Sequence, residues 1–289
     1  MDTSVSTEPA WRSSSLDRIR NNLDLPWAFV RSAYAGARDR HSFDDLRTYC
    51  MFIGYPRSGH SLLGSLLDAH PRAVIAHEAD TLRYLQAGFT RLQVYSLILA
   101  NSRRYRDRRE IIYDYTVPHQ WQGRYLELRV IGDKKGGRST RRLATSPALL
   151  DRLISRVDVE TRFVHVARNP FDNITTIFER TMADRGLAAA VEEYLRLCAA
   201  VDSIRRRLGP AVVLDVHHEA LLAEPCEELK RVCHFVGLDA ADDYLEDCAG
   251  ILFASPRRTR EHVDWPPALV ERVTGVIARY DFLSGYTFD

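Results

Sequence analysis

The sequence of 289 residues lacks features that several protein classes need. Its five cysteines are scattered, without a Cys-x-x-Cys pair or a Cys/His spacing that suggests zinc, which favours a reducing compartment. The first residues lack the basic segment and apolar core of a signal peptide. No apolar run reaches the roughly 18 residues that a spanning helix needs. We therefore expect a cytoplasmic protein without integral membrane association.

The sequence also lacks an excess of charge of one sign. There are 40 Lys and Arg residues against 39 Asp and Glu residues, which gives a formal net charge of +1. A general polyanion binder usually has a clear basic excess, so a nucleic-acid partner is not favoured. An apolar content of 45% and a charged content of 27% are typical of a globular protein. Nothing in the sequence specifies an oligomeric state.

Short apolar segments alternate with segments of helical length from residue 49 onward. Strands are predicted at 50–53, 73–76, 128–131, 163–167 and 211–216. Helices are predicted at 61–69, 82–100, 147–157, 171–183 and 188–208. This alternation predicts a three-layer α/β fold, in which helices cover both faces of a parallel sheet. Ligands of such sheets bind beyond the carboxyl ends of the strands.

The chain before residue 49 is predicted to be an N-terminal extension, and residues 49–289 to be the main domain. The extension begins with polar, Ser-rich residues that we expect to be partly flexible. Apolar residues follow at Trp27, Phe29, Val30 and Tyr34. They indicate a helix that packs on the main domain, and docking on a membrane surface is the less favoured alternative.

A loop of phosphate-binding type follows the first predicted strand and opens the next helix. It reads Gly54-Tyr55-Pro56-Arg57-Ser58-Gly59-His60-Ser61. In this context main-chain N–H groups and the positive helix end face an anion, with Arg57 and Ser61 as further donors. His60 stands where nucleoside triphosphatases have the Lys that contacts the terminal phosphates. The loop therefore predicts an anion site unsuited to ATP hydrolysis, and a turn without a ligand is the alternative.

A second motif lies at the end of the predicted strand 163–167. Arg168 follows the strand directly, and Thr176 comes about two helical turns later. A guanidinium and a hydroxyl group make a suitable clamp for a dianionic phosphate. The alternative is a local ion pair between Arg168 and Asp172.

Both stretches resemble motifs of the sulfotransferases that use 3′-phosphoadenosine-5′-phosphosulfate (PAPS). The loop, continued by Leu67-Asp68-Ala69-His70-Pro71, resembles the family's 5′-phosphosulfate loop and is closest to the tyrosylprotein type. Arg168 and Thr176 match the family's 3′-phosphate motif. The family usually has Thr at position 60. The resemblance implies a P-loop-like fold without a metal. The residues that it implies for cofactor binding are Arg57, Ser58, Gly59, His60, Ser61, Arg168, Thr176, Arg257 and Arg258.

The same resemblance implies a catalytic set of Glu78, Arg57 and Lys134. Glu78 would be the base, with His77 as its local rival, and Lys134 would face the transferred group, with Lys135 as rival. The acceptor would be a small molecule or a lipid with a hydroxyl group or an amine, and the product 3′-phosphoadenosine 5′-phosphate (PAP). Aromatic residues between 79 and 125 could line an acceptor pocket, although a helical core explains most of them.

Two other functions are compatible with a phosphate loop. Residues 212–215 resemble a strand that ends in a magnesium-binding Asp, which would favour a nucleotide-dependent kinase or ATPase. The loop without its Lys argues against this class. A catalytically silent nucleotide-binding module is the other alternative, and the presence of Arg57, Lys134 and Glu78 argues against it.

Overall fold

The computed structural model describes residues 24–107 and 115–289, and its centre is a five-stranded parallel sheet. The strands are β1 Thr48–Gly54, β2 Ala73–His77, β3 Val130–Lys134, β4 Glu160–Ala167 and β5 Val213–His217. Their spatial order is β2-β3-β1-β4-β5, and every neighbouring pair is parallel. The predicted α/β fold is confirmed. Because all strands run the same way, the loops that follow them meet at one edge of the sheet.

Strand β1 shows why helices cover both faces. All of its residues are buried. Tyr49, Met51 and Ile53 pack into one hydrophobic cluster, whereas Cys50 and Phe52 pack into another on the opposite face. Successive side chains of a strand point to opposite faces, so a strand that is apolar throughout needs a covering layer on each side.

Helices form those two layers. Their bounds are α1 Leu25–Arg38, α2 His60–Asp68, α3 Thr81–Gln86, α4 Arg91–Arg106, α5 Gly137–Thr145, α6 Ala148–Val157, α7 Pro170–Thr181, α8 Leu187–Leu208, α9 His218–Ala223, α10 Pro225–Phe235, α11 Asp242–Ala249 and α12 Pro267–Arg279. Short 3₁₀ segments occupy Arg40–Phe43, Thr259–His262 and Asp281–Leu283. Among the described residues, no helix combines the length and apolarity needed to cross a bilayer.

One helix prediction and one strand prediction were wrong in detail. The predicted helix 82–100 is two helices, because Gly88 takes a left-handed conformation (φ 87°) and Thr90 caps α4 together with Gln93. The third strand was predicted at 128–131, but β3 spans Val130–Lys134 and therefore includes Asp133 and Lys134. Gly132, which the predicted bounds place after the strand, lies inside it. A Cβ atom there would be 2.3 Å from the carbonyl oxygen of Cys50, so glycine permits the close pairing with β1.

Helix α1 lies in the segment predicted as an N-terminal extension. It packs on α4 so closely that a Cβ atom on Gly36 would lie 2.8 Å from the main-chain oxygen of Leu92. The hydroxyl group of Ser96 donates a hydrogen bond to the Ser32 carbonyl at 3.2 Å. Trp27 and Tyr34 point away from this contact and are exposed. The extension before residue 24 lies outside the described residues.

Candidate active site

The loop after β1 is fixed from two sides at the carboxyl edge of the sheet. The Gly54 N–H donates to the hydroxyl of Thr140 on α5 at 2.8 Å. The amide of Asn173 on α7 donates to the Pro56 carbonyl at 2.6 Å. The loop turns through a left-handed Arg57 (φ 66°) and a left-handed Gly59 (φ 105°), and α2 follows at once. The first N–H groups of α2 are thereby directed into the loop, as an anion site requires.

The side chain of His60 braces this loop from behind. Its Nε2 lies 2.9 Å from the Ile53 carbonyl, and its Nδ1 lies 3.1 Å from the Ser58 hydroxyl. Burial lowers the pKa of His60 to about 3, so the ring is neutral at pH 7. With both ring nitrogen atoms bonded inside the protein, only the main-chain N–H of His60 remains for an anion.

Two glycines make room for the His60 ring. A Cβ atom on Gly136, whose φ is 51°, would lie 2.7 Å from Nδ1, and one on Gly54 would lie 3.0 Å from Nε2. The glycine pair after β3 thus makes room for protein side chains, since Gly136 accommodates His60 and Gly137 accommodates Pro56.

Lys134 joins the phosphate loop to Glu78. Its Nζ lies 2.9 Å from the Ser61 hydroxyl and 3.3 Å from Glu78 Oε1. Lys135 Nζ lies 2.8 Å from Glu78 Oε2, and no contact of Lys135 with the loop is seen within residues 24–107 and 115–289. Burial lowers the pKa of Lys134 to about 8. The geometry therefore favours Lys134 over Lys135 as the cation at the loop.

Glu78 lies at the end of β2, in strained backbone. Its φ of 59° is one that side-chain-bearing residues rarely adopt. Burial acts to raise the pKa of Glu78, but the charges of Lys134 and Lys135 outweigh it and lower the pKa to about 2. The carboxylate is therefore ionised at pH 7. Its rival His77 stacks on Tyr105 with ring centroids 3.8 Å apart.

Asp133 holds the turn that carries Glu78, and the sequence did not single it out. Its carboxylate is fully buried and accepts hydrogen bonds from the N–H groups of Ala79 and Thr81 and from the Thr81 hydroxyl, at 2.8–3.0 Å. Burial raises the pKa of Asp133 to about 6. No signal in the sequence identified it, because the predicted strand ended at residue 131 and left Asp133 outside; only its place inside β3 shows that it needs buried partners.

Gly64 was also missed. It lies on α2 facing β3, and a Cβ atom there would be 2.9 Å from Cγ of Lys134. Because Gly64 has no side chain, the aliphatic stem of Lys134 has the space it needs to reach Ser61. Only the packing of α2 on β3 shows this, because an isolated glycine in a helix carries no such signal.

A second basic site lies beyond β4. Arg168 is buried and donates to the Arg257 carbonyl at 2.7 Å and to the hydroxyl groups of Thr176 and Thr259 at 3.3 and 3.4 Å. The guanidinium and the two hydroxyl groups thus form one cluster. The sequence predicted Arg168 and Thr176 together, and Thr259 was not foreseen.

The basic residues near the C-terminus differ in burial, and Arg260, which the sequence did not single out, is the buried one. Asp172, the local partner suggested for Arg168, instead accepts hydrogen bonds from Arg260. The main-chain N–H of Arg260 donates at 2.8 Å and its guanidinium at 2.7 Å. The side chain of Arg257 lies over Phe253, and Arg258 pairs with Glu261 at the surface. Arg257 thus contributes its carbonyl group to the Arg168 cluster, whereas the Arg258 side chain is exposed and contacts Glu261.

Orphaned buried nitrogen atoms test whether a phosphorylated cofactor fits between the two sites. Arg168 Nε and His218 Nδ1 are buried, and neither has a hydrogen-bond partner in the described part of the chain. A Cβ atom on Gly59 would lie 2.6 Å from that His218 nitrogen. Burial, aided by the charge of Arg168, lowers the pKa of His218 to about 4 despite Glu219. His218 therefore lies close to both the phosphate loop and Arg168, and the orphaned nitrogen atoms there suit the polar groups of an anionic ligand.

Asp215, the residue behind the kinase alternative, is committed elsewhere. It lies within β5, opposite His165 on β4. Its carboxylate oxygens bind His165 Nδ1 and the guanidinium of Arg205, both at 2.7 Å. To bind magnesium, Asp215 would have to give up these two contacts. The end of β5 therefore does not favour a metal-dependent phosphotransfer.

A cavity of about 290 Å³ opens beside Glu78 and Lys135. It lies between α1, α4 and the turn after β2, with side chains of all three in its wall. Of the aromatic residues between 79 and 125, Tyr84 lines it, whereas Phe89, Tyr95 and Tyr105 are buried. Tyr113 lies outside the described residues. The cavity gives a small molecule access to the carboxylate of Glu78.

Comparisons with known proteins bear on the fold and on the family of the chain. Solved structures that resemble the protein include sulfotransferase STF9 from Mycobacterium avium, with 11% identity, 93% coverage of this chain, 86% of that chain and a TM-score of 0.51. A mouse sulfotransferase complexed with PAP is 13% identical, and the match covers 83% of this chain and 87% of that chain with a TM-score of 0.47. The sulfotransferase domain of the Synechococcus PCC 7002 olefin synthase has 18% identity, coverage of 79% and 87% and a TM-score of 0.45.

Identities this low establish only the shared fold. Comparison with the curated proteins gives no match. The family model described as "Sulfotransferase family" matches residues 51–243, which is more than half of the chain and includes both phosphate motifs and Glu78. The chain therefore belongs to the sulfotransferase family.

Proposed function

We propose that the protein transfers the sulfuryl group of PAPS to a hydroxyl group, or an amine, of a small acceptor. The observation that carries this proposal is the contact of Lys134 with both Ser61 of the phosphate loop and the carboxylate of Glu78. One buried cation thereby lies between an anion site and a proton acceptor. That juxtaposition is what an in-line transfer to a hydroxyl group requires.

In this proposal each of the two basic sites binds one phosphate group of the cofactor. The N–H groups at the start of α2 and the hydroxyl of Ser61 hold the 5′-phosphate, and Arg57 and Lys134 stabilise the negative charge that develops during transfer. Arg168 and Thr176 hold the 3′-phosphate, for which the orphaned Arg168 Nε offers a further donor. His218 lies between the two sites.

Glu78 is the proposed base. PAPS held by these residues would supply the sulfuryl group: the acceptor oxygen or nitrogen would bond to sulfur, the sulfur bond to the 5′-phosphate oxygen would break with its electron pair left on that oxygen, and Glu78 would take the acceptor proton. Lys134 and Lys135 keep Glu78 ionised, but they also make it a weak proton acceptor. A neighbouring anion would share their charge and make Glu78 more basic. We expect no metal requirement and a cytoplasmic location.

Calorimetric titration with PAP tests the proposed cofactor. Wild-type protein is expected to bind PAP, and Arg168→Ala to bind it roughly 10- to 100-fold more weakly, because hydrogen bonds to charged groups contribute about 1.5–3 kcal/mol each. Arg162→Ala is the control, since Arg162 lies on β4, the strand that precedes Arg168, but contacts Glu160 and the Ala211 carbonyl. Equal PAP affinity of wild type and Arg168→Ala contradicts the 3′-phosphate assignment. Binding of ATP with magnesium but not of PAP contradicts the proposed function.

A further inference from the structure

Positive charge dominates the wall of the cavity beside Glu78. Its cationic residues are Arg31, Arg83, Arg104, Lys135 and Arg138, against two carboxylates, Glu78 and Asp80. Ordinary acceptor pockets are mostly apolar with a few polar groups. This cavity has Leu97 and Tyr84 as its larger apolar residues. The wall therefore suits an anion better than a neutral apolar molecule.

The carboxylates of the cavity pair with only part of its cations, since Glu78 binds Lys135 at 2.8 Å and Asp80 lies 3.7 Å from Arg138. Asp80 receives two hydrogen bonds from Arg142, at 2.9 and 2.8 Å, and Arg142 does not line the cavity. Arg31 and Arg104 are exposed, and neither has an ion-pair or hydrogen-bond partner among the residues that the structure describes. These two guanidinium groups, one on α1 and one on α4, are available to a ligand from opposite walls.

A neutral group in the same wall also points to a ligand. The Oδ1 atom of Asn101 is buried and has no hydrogen-bond donor within the described chain. Asn101 precedes Arg104 by one helical turn on α4, so both side chains lie on one face of that helix. A buried carbonyl oxygen without a donor is costly, and a hydroxyl or amide group of a bound molecule would satisfy it.

We propose that the acceptor is a small organic anion, a carboxylate or phosphate that also carries a hydroxyl group. Its anionic group binds Arg31 and Arg104, and its hydroxyl group lies at Glu78. A volume of about 290 Å³ limits it to the size of a metabolite. This inference rests on the proposed function, because it uses Glu78 as the base of the same site.

The test measures transfer from labelled PAPS to matched pairs of acceptors. The pairs are 4-hydroxyphenylacetate with 4-hydroxyphenylacetamide, and glycerol 3-phosphate with glycerol. The acidic member of at least one pair is expected to have a kcat/KM at least about tenfold higher than its neutral partner, because only the acid gains charge-assisted contacts. Arg31→Gln and Arg104→Gln are each expected to remove about tenfold of that preference. Arg103→Gln is the control, since Arg103 is exposed on the same helix outside the cavity.

Binding of the same acids to the protein saturated with PAP is measured by calorimetry, so that slow turnover does not hide the result. Weaker binding of an acid to Arg104→Gln than to Arg103→Gln supports the inference. If PAP binds but no acid binds, if both members of each pair react equally, or if Arg104→Gln keeps the preference for acids, the inference is wrong while the proposed function stands. If PAP itself does not bind, the proposed function fails first.

Discussion

Position 60 shows how one side chain can change role within a retained loop. The family usually has a hydroxyl residue there, whereas this protein has a buried, neutral His60 that binds the Ile53 carbonyl and the Ser58 hydroxyl. From the sequence alone, a histidine in a phosphate loop is expected to bind the phosphate. The ring is instead part of the support of the loop, because Gly54 and Gly136 leave space for it behind the main chain.

The pH dependence of stability should reveal this buried histidine. The pKa of His60 is about 3 in the folded protein and about 6.5 when exposed, so the unfolded state binds the proton more strongly. Its contribution to stability is complete above pH 6.5 and falls towards pH 3 by up to about 1.4 kcal/mol per pH unit. His60→Asn is less stable at pH 7, but should lose less stability between pH 7 and 5 than the wild type does in urea unfolding.

His234→Asn is the control for that comparison, because His234 is exposed on α10. It should keep the pH dependence of the wild type. A free-energy difference between His60→Asn and wild type that is the same at pH 7 and pH 5 would show that His60 is not held neutral by burial.

Glu78 is expected to matter for transfer and not for cofactor binding. Glu78→Gln keeps the size of the side chain but removes the proton acceptor, and positioned bases contribute about 10²–10⁴-fold to rate. The kcat for transfer from PAPS should fall by that factor, while the Kd for PAP measured by calorimetry changes less than about threefold. Glu127→Gln, which alters a carboxylate paired with Arg129 in a distant loop, should keep the wild-type rate. A Glu78→Gln variant with wild-type kcat would reject Glu78 as the base.

At the scale of secondary-structure elements, the close approach of α2 to β3 places the reactive cation. Lys134 is the last residue of β3, and its stem passes Gly64 of α2 before it reaches Ser61 at the start of the same helix. A side chain at position 64 would occupy that path. Helix α2 thus supplies both the anion site and the room for the lysine that faces it.

Gly64→Ala should therefore destabilise the protein. The added Cβ would lie 2.9 Å from Lys134 Cγ, and overpacking of this kind costs about 1–3 kcal/mol. For a domain of this size that corresponds to a fall in Tm of about 2–10 °C. Gly275→Ala is the control, because Gly275 lies in α12 with nothing within 4 Å of an added Cβ. Alanine favours a helix over glycine, so the Tm of Gly275→Ala should rise or stay unchanged. A Tm of Gly64→Ala equal to the wild type would show that Lys134 can take another path.

At the scale of the whole molecule, the C-terminal part of the chain completes the second basic site. Arg260 binds Asp172 of α7 and the main-chain oxygen of Asp289, and Asn169 binds the Thr287 carbonyl. Trp265 and Phe288 both contact the ring of Phe171. The segment that brings Thr259 and the Arg257 carbonyl to Arg168 is thus fixed by residues distant in sequence.

The buried ion pair of Asp172 and Arg260 should be strongly coupled to folding. Asp172→Asn leaves a buried guanidinium without its counter-charge, which costs about 3–5 kcal/mol. The midpoint of urea unfolding should fall accordingly, and PAP binding should weaken because Arg168 loses fixed neighbours. Glu261→Gln is the matched control, since it breaks the exposed pair with Arg258 in the same segment and should cost less than about 1 kcal/mol. Similar losses in both variants would contradict the buried role of Asp172.

The sequence alone determined the fold class, the family motifs and the order of the strands along the chain. Apolar strand-length segments followed by helices leave few alternatives to a parallel sheet, and the loop 54–61 lies where strand and helix meet. The carboxyl end of β3 was missed because Gly132 and the charged residues after it interrupt the apolar segment. The break at Gly88 was missed because apolar residues continue on both sides of it.

Only the tertiary structure decided which charged groups meet. Lys134 and Ser61 are 73 residues apart, Arg260 and Asp172 are 88 residues apart, and the two walls of the cationic cavity come from α1 and α4. Hydrophobic periodicity fixes which face of an element is buried, but not which partner lies opposite a buried charge. Burial makes an unpaired charge costly, so packing selects such pairs after the elements have formed.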